Sequence, residues 1–523
     1  MKDKTLFWNP PVELSQIEKM ICKRLTRTGR LFAFLRQHRH ELFDESFQAE
    51  LAAMYSDKPR GTKPKPPAML ALVTLLQAYE RKSDAAAVEE AVFDRRWQMV
   101  LDCHGAESPP FSQGVLVDFR RRMMAHEMDR RLLERTVELA ERTGDFGGKM
   151  LRVALDSSPL WGAGRVEDTF NLIGHSVELI VELAAKVWGR KPEAVYAAAG
   201  LTLFGGSSLK AALDVDWDDA SQQGAALMRV IGEVRRLREW IAKTLPDKVG
   251  EPEMQQALAL LEQILEQDLE PDPDGGMRIK RGVAKDRRIS VADGDMRHGR
   301  KSKSKVISGY KRHVVRDLDS PMILAATVRP ANEPEHKAAE ELRPRVERFG
   351  EVEELHIDRG YLASDWARDI FDSGARLLAK PWAPRNGKCF PKNAFTIDLA
   401  RGVVRCPENV EAEIRGDKAG FDAAVCDLCA SRDRCTRAAL GHGRTISIHP
   451  DEAMFVELRR RKQTPEGRKL LRERVAIEHC LAHVCRRQGH RARYCGVRKN
   501  VFDLHRVCTV ENLHALDRLR EAA

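Results

Sequence analysis

At Lys149 the spacing of apolar residues changes from 3.6 to 2, and this one change excludes a chain that is helical throughout or built of strands alone. Ahead of it, residues 1–148 read as helices joined by basic, proline-rich punctuation. The stretch SDKPRGTKPKPP ends at Pro67, and AMLALVTLLQAY behind it is apolar on most faces, as a buried helix is. Ser83 and Asp84 stand where a helix cap belongs, with Val88, Glu90, Ala91 and Val92 following, and a segment from Ser112 runs into FRRRMM at 119–124. That pattern serves a helical bundle with a basic edge and a DNA-binding module equally well. Behind Lys149, KMLRVALD has the density of a buried strand and delivers Asp156 to the strand end before Ser157, Ser158 and Pro159 break it. Two strands flank the turn DLDSP between Gly309 and Arg329, HKAAEELRPRVERFG is helical, and EVEELHI is a fourth strand followed by Asp358 and Gly360. Three strands, a helix and a fourth strand predict an α/β fold with a mixed sheet.

A chain of 523 residues has room for about three structural units, and two insertions interrupt the sheet core. Residues 178–277 read as helical: Leu227, Ile231, Val234, Leu237 and Ile241 form one stripe, Leu258, Leu261 and Leu265 another, and Pro246, Gly250 and Pro252 separate them. An antiparallel helix pair is expected there. Residues 386–445 form the second insertion, rich in cysteine and turn residues. The expected organisation is a helical N-terminal DNA-binding domain over 1–148, a catalytic core assembled from 149–177, 278–385 and 446–523, and the two insertions. MKDKTLFWNP has no apolar h-region, and no charge-free run approaches the roughly eighteen apolar residues that span a bilayer, so a soluble cytoplasmic protein without a membrane partner is expected.

Two strand ends carrying an aspartate suggest a metal site, because open α/β sheets place their chemistry at the carboxyl ends of strands. A third ligand comes from RKLLRERVAIEHCLAHVCRRQG, read as one helix, in which Leu471, Val475, Glu478, Ala482 and Cys485 share a face. Glu478 then lies in an apolar stripe, where an unpartnered glutamate is rarely found, whereas Glu473 has Lys469 one turn back on the exposed side. Taken singly, Asp156 and Asp358 read equally as turn residues and Glu478 as a partner of Arg474. Together they have a chemical logic. In-line attack on a phosphodiester develops negative charge on the entering and leaving oxygens, and two divalent cations neutralise both while lowering the pKa of the attacking water or hydroxyl. Carboxylate oxygens are the hard ligands that Mg²⁺ or Mn²⁺ prefers. Asp168 is a rival acid, expected to support the site from behind; Asp214, Asp216, Asp218 and Asp219 read as a solvated loop or helix cap.

The eleven cysteines, odd in number and without a secretion signal, read as core residues or metal ligands. Cys406, Cys426, Cys429 and Cys435 follow the spacing C-x19-C-x2-C-x5-C, which suits tetrahedral Zn²⁺ in a piece too short for a core of its own. A [4Fe–4S] cluster uses the same ligands, and four reduced cysteines around a vestigial site are the plain alternative. Cys480, Cys485 and Cys495 read as packing residues. Positive charge is local: Lys plus Arg exceed Asp plus Glu by 88 to 78 overall, yet 459–499 alone holds fourteen Lys or Arg against three Glu. Such a field suits a phosphate backbone, although a solvated basic face is the ordinary reading of a charge run. The residues expected on DNA are Arg120, Arg121 and Arg122; Arg300, Lys301, Lys303, Lys305 and Lys311; and Arg474, Arg486, Arg487, Arg491, Arg493 and Lys499, of which the run from Arg486 would lie beside the metals.

The run from Asp156 to Leu172, which closes in PLWGAGRVEDTFNL, the block SGYKRHVV, the strand LHIDRGY and the pair Arg474 and Glu478 resemble the DDE-type transposases of bacterial insertion sequences. GTKPKPPAMLALVTLLQAYERKSDAAAVE from Gly61 and DFRRRM from Asp118 look like the helical N-terminal region of that group, and RARYCGVRKN with Asn512 and Leu513 like its C-terminal end. The resemblance implies a ribonuclease H-like core, a triad of Asp156, Asp358 and Glu478 holding two Mg²⁺ (or Mn²⁺), and cut-and-paste transfer of an element. The DNA is double-stranded, comprising terminal inverted repeats and target, and a homodimer or larger assembly is expected on it. The group's Tyr-x2-Arg-x3-Glu-x6-Lys signature is matched at Arg474 and Glu478, with Leu471 at the Tyr position and Cys485 at the Lys position. Arg486, Arg487 or Arg491 is therefore expected to take over the transferred-end phosphate. Two other readings use the same features: a catalytically inactive DNA-binding regulator derived from a transposase, and a hydrolytic nuclease that cuts without joining.

Overall fold

The structure, a computed structural model, describes residues 6–26, 29–55, 63–147, 150–206, 208–300 and 305–522; Gly61 and Thr62 of the N-terminal motif and Lys301 and Lys303 of the basic run lie outside the described residues. Helices fill the chain from Gln16 to Thr143. Among them α1 (Pro67–Glu80) is buried from Pro67 to Ala78: a proline at its first turn opens it, and no charge interrupts it before Glu80. Ser83 caps the helix Asp84–Phe93 by accepting from Ala86 N (3.1 Å), and Ser112 caps Gln113–Ala125 by accepting from Val115 N (3.3 Å).

The main sheet comprises β1 (Met150–Trp161), β2 (Arg297–Arg300), β3 (Val306–Asp317), β4 (Ile323–Pro330), β5 (Glu351–Ile357) and β6 (Arg376–Leu378). β3 is antiparallel to β1, β2 and β4, whereas β1, β5 and β6 run parallel, so the fold is mixed α/β. β1 does not stop at Asp156. It continues through Pro159 because its β3 edge stays paired, from Val153 opposite Asp317 to Trp161 opposite Gly309, while pairing with β5 ends at Leu155 opposite Ile357 and the freed edge is met again only at Trp161, by His490 and Ala492. A proline, with no N–H to give, is tolerated where one edge of a strand has no ladder.

Between β1 and β2, α2 (Thr169–Trp188), α3 (Ala220–Thr244) and α4 (Pro252–Asp268) close around a second hydrophobic core. α2 starts ahead of position 178, and α4 lies chiefly against α2 instead of forming an antiparallel pair with α3, to which Arg238 and Glu262 link it. The reason is the quality of the faces. Ile173, Val177, Ile180, Val181 and Ala184 give α2 an unbroken buried stripe, while α3 buries Glu233, which accepts from Thr202 N and Leu203 N.

Beyond β4 come α5 (His336–Glu347), α6 (Val475–Gln488) and α7 (Val497–Ala522). α7 lies between the helix Met128–Thr143, α1 and β4, so the N-terminal bundle and the sheet share one continuous core. The helix that ends at Thr143 and the sheet that begins at Met150 thus pack into the same core. Asn512 of α7 pairs with both backbone groups of Ile323, accepting from its N–H (2.7 Å) and donating to its carbonyl (2.9 Å). Residues 386–445 carry five short antiparallel strands between Thr396 and Ser447, and Phe395, Val404, Ala419, Phe421 and Ile446 give them a small apolar core, contrary to the expectation of none.

Candidate active site

Asp156 and Asp358 each stand one residue past the last paired position of parallel neighbours, Leu155 on β1 and Ile357 on β5. The register therefore sets the two acids side by side at the rim of a cavity of about 870 Å³, whose wall also carries Glu478, Arg474, Lys311 and Glu335. Asp156 is sheltered, its Oδ1 accepting from Ser157 N (2.7 Å) and its Oδ2 from Arg474 Nη2 (2.8 Å). Arg474 Nη1 reaches Asp358 Oδ1 at 3.4 Å. Burial opposes charge on this guanidinium, but Asp156, Asp358 and Glu478 outweigh it and hold its pKa above the ordinary arginine value.

Glu478 does not lie in an apolar stripe; it is exposed, on the first turn of α6. The helix read as continuous is two, Pro465–Glu473 and α6, and the turn tightens at Arg474, whose carbonyl accepts from Ile477 N at 3.1 Å. This shifts the phase by a residue: Ile477, Leu481 and Val484 carry the buried face, and Glu478, Ala482 and Cys485 turn to the cavity. Cys485 meets the Ser158 hydroxyl at 3.2 Å and so is a cavity residue, not core. Behind the wall, the Tyr361 hydroxyl and His313 Nδ1 share a hydrogen bond (2.6 Å); burial pushes that histidine down to about 3 and the Tyr361 phenol well up. His313 is thus neutral. Carboxylate oxygens from two strand ends and a helix on one open wall are a donor set that fits a hard divalent ion.

The basic residues separate into two groups. Arg300 and Lys311 line the cavity, and Lys311 lies 3.7 Å from Glu335. Arg121, Lys305, Arg486 and Lys499 are exposed. Arg120 is engaged within the protein, both its terminal nitrogens holding Asp84 at 2.6 Å. Arg122 lies over the Tyr55 ring, Arg487 is bound to Glu511 (2.7 Å) and to Tyr79, Arg491 donates to Gly162 O, and Arg493 to the carbonyls of Arg81 and Lys82. Arg491 fastens the end of β1, Arg487 joins α6 to α7 and Arg493 holds the end of α1, while the run from Arg486 leaves the helix at Gly489 without lining the cavity.

Asp168 does not support the site. It caps α2, accepting from Asn171 N (3.1 Å), and pairs with Lys210. Asp219 likewise caps α3. Glu473 pairs with Arg152 on β1 and not with Lys469. With Glu354 and His356 it forms a group of three whose ligand atoms lie within 4.8 Å of one another. Arg152 and Arg376 already neutralise that group; burial alone would raise the Glu354 carboxyl, but His356 and Arg152 bring it to about 2. It is an ion-pair network.

Cys406, Cys426, Cys429 and Cys435 line one small pocket with Phe390, Phe395 and Phe421, and Cys406 Sγ accepts from Val410 N at 3.4 Å. Burial raises the Cys435 thiol, as do its three neighbouring cysteines, against the pull of Arg444. Reading the sequence missed Ser157, Glu335, Gly360 and the exposed Trp382 on the main cavity wall. Only the adjacency of Ser157 and Gly360 to the two aspartates signalled any of them.

Two family models match the chain: one described as Transposase DDE domain over residues 406–516, which contain Arg474, Glu478 and the four clustered cysteines, and one described as Transposase domain (DUF772) over residues 16–122. No curated protein and no solved structure matches it.

Proposed function

Because the chain belongs to the DDE transposases of insertion sequences, we propose that its sheet is a ribonuclease H-like core whose cavity cuts the ends of a DNA element and joins them to target DNA. One observation carries the reading: Asp156, Asp358 and Glu478, from three elements far apart in sequence, line one cavity with a basic rim. The three carboxylates would hold two Mg²⁺ or Mn²⁺, which supply charge neutralisation at phosphorus and activation of the attacking hydroxyl. Arg474 balances Asp156 and Asp358 and keeps them facing one another. Arg300 and Lys311, which line the same cavity, bind the backbone phosphates of the incoming end, a task that Cys485 at the signature lysine position leaves open and that Arg487 and Arg491, bound elsewhere, do not take. No side-chain base is required. The same residues serve hydrolysis of the element end and the attack of its freed 3′-hydroxyl on target DNA, since both are in-line displacements. Two protomers hold the two ends. The four clustered cysteines hold a structural Zn²⁺, or an iron–sulfur cluster of the same ligand type.

The test is incubation of the purified chain with linear DNA bearing the gene's own flanking inverted repeats, target DNA and Mg²⁺. Cleavage at the repeat ends and a joined product are expected, both lost in Asp156→Asn. Binding without cleavage would mark a regulator derived from a transposase, and cleavage without joining a hydrolytic nuclease.

A further inference from the structure

Glu335 lies on the wall of the same cavity and has no part in the reading above. It stands at the N-cap position of α5 with helical backbone angles, and its side chain bonds none of the first-turn N–H groups. The carboxylate turns to the sheet instead. Its Oε1 accepts from the Ser157 hydroxyl at 2.9 Å, beside Asp156, and stands 3.7 Å from Lys311 Nζ, too far for a hydrogen bond. Its Oε2 rests on Gly360, two residues after Asp358. A Cβ at that glycine would fall 1.8 Å from Oε2, so the close approach exists only because position 360 has no side chain. The Ser157 hydroxyl and the bare backbone at Gly360 thus hold one carboxylate on the cavity wall that also carries the two strand-end aspartates. Its side chain is 21% exposed, sheltered enough that its charge is not simply lost to solvent.

We propose that Glu335 is a fourth acid of the centre, a positioning residue that strengthens the hold of Asp156 and Asp358 on a divalent ion by accepting from the ion's hydration water. The inference rests on the reading of the three acids as an ion-binding set. Hard ions such as Mg²⁺ keep several waters when bound, and partners of that outer layer typically contribute 10- to 100-fold in metal affinity. Ser157 and Gly360 then serve to fix the carboxylate, and Lys311 to limit its charge.

The experiment measures Mn²⁺ affinity of the full chain, without DNA, by titration calorimetry and electron paramagnetic resonance. Wild type should bind and Asp156→Asn should lose binding. Glu335→Gln, which keeps the shape and an acceptor for Ser157, should weaken Mn²⁺ affinity about 10- to 100-fold, with thermal unfolding in chelator unchanged. Gly360→Ala, which displaces the carboxylate, should weaken it comparably. Unchanged affinity in Glu335→Gln, or a loss matched by an equal loss of stability in chelator, overturns the proposal while leaving the three-acid reading intact. Mn²⁺ binding that survives Asp156→Asn undiminished overturns both.

Discussion

Arg474 is the counter-charge that lets two carboxylates face each other across the cavity rim. Replacing it with alanine in chelator should therefore destabilise the chain by about 1.5–3 kcal/mol, a bond to a charged group having roughly that value, and lower the melting temperature by a few degrees. Adding Mn²⁺ should narrow the gap, because the ion takes over the same charge; a gap that stays constant in calorimetric scans would speak against the ion-binding reading. Asp156→Asn and Glu478→Gln should each slow cleavage more than about 100-fold while leaving binding to repeat DNA intact, since a carboxamide cannot neutralise a cation. Asp168→Asn should leave cleavage rates unaltered, as Asn also caps helices well. Asp156 and Asp358 could be named from strand periodicity, whereas the face of Glu478 could not, because the break at Arg474 depends on packing. Glu335 was not singled out, since an acid at a helix start is favoured by the helix dipole whatever else it does, and nothing near Arg120 in sequence announces Asp84, 36 residues away.

At the level of elements, the strand and helix order of the core followed from periodicity, and the errors arose where an element's ends depend on its neighbours. β1 passes through Pro159 because β3 continues beside it, and nothing in the residues 156–161 themselves reveals that. The break at Arg474 is similarly tertiary, and it moved Glu478 from the buried face to the cavity. Asn512 offers a test at this scale. Asn512→Leu would leave the N–H and C=O of Ile323 buried without their partners, which should cost about 2–6 kcal/mol, on the order of 1–3 for each group; a urea midpoint within error of wild type would show that α7 is not fastened to β4 in this way. In the cysteine segment, Cys426→Ser with Cys429→Ser should abolish the Zn²⁺ released from wild type by thiol-blocking reagents and detected by a colorimetric chelator. Protease cutting between 386 and 445 should rise in parallel.

The whole molecule has two large cores. The N-terminal bundle and main sheet share the first and should unfold in one transition, while the second, around α2, α3 and α4, should give its own in scanning calorimetry. Acid should destabilise the first core before any carboxylate is protonated. Burial holds His313 at about 3 and His514 at about 4, both depressed below 6.5, so the folded state resists protons that the unfolded chain takes up. Stability is then full above about pH 6.5 and falls as pH drops from there toward 4 and 3, by up to about 1.4 kcal/mol per pH unit for each histidine. Denaturant midpoints at pH 7, 5.5 and 4.5 should decline accordingly, and less so in His514→Phe. The position of α7 inside that core also has a consequence for synthesis. The bundle ending at Thr143 leaves the ribosome long before Val497 is added, at about 5–20 residues per second an interval on the order of tens of seconds. Through that interval the flank that α7 will cover stays open, and the nascent protein carries an apolar surface on which other chains can stick.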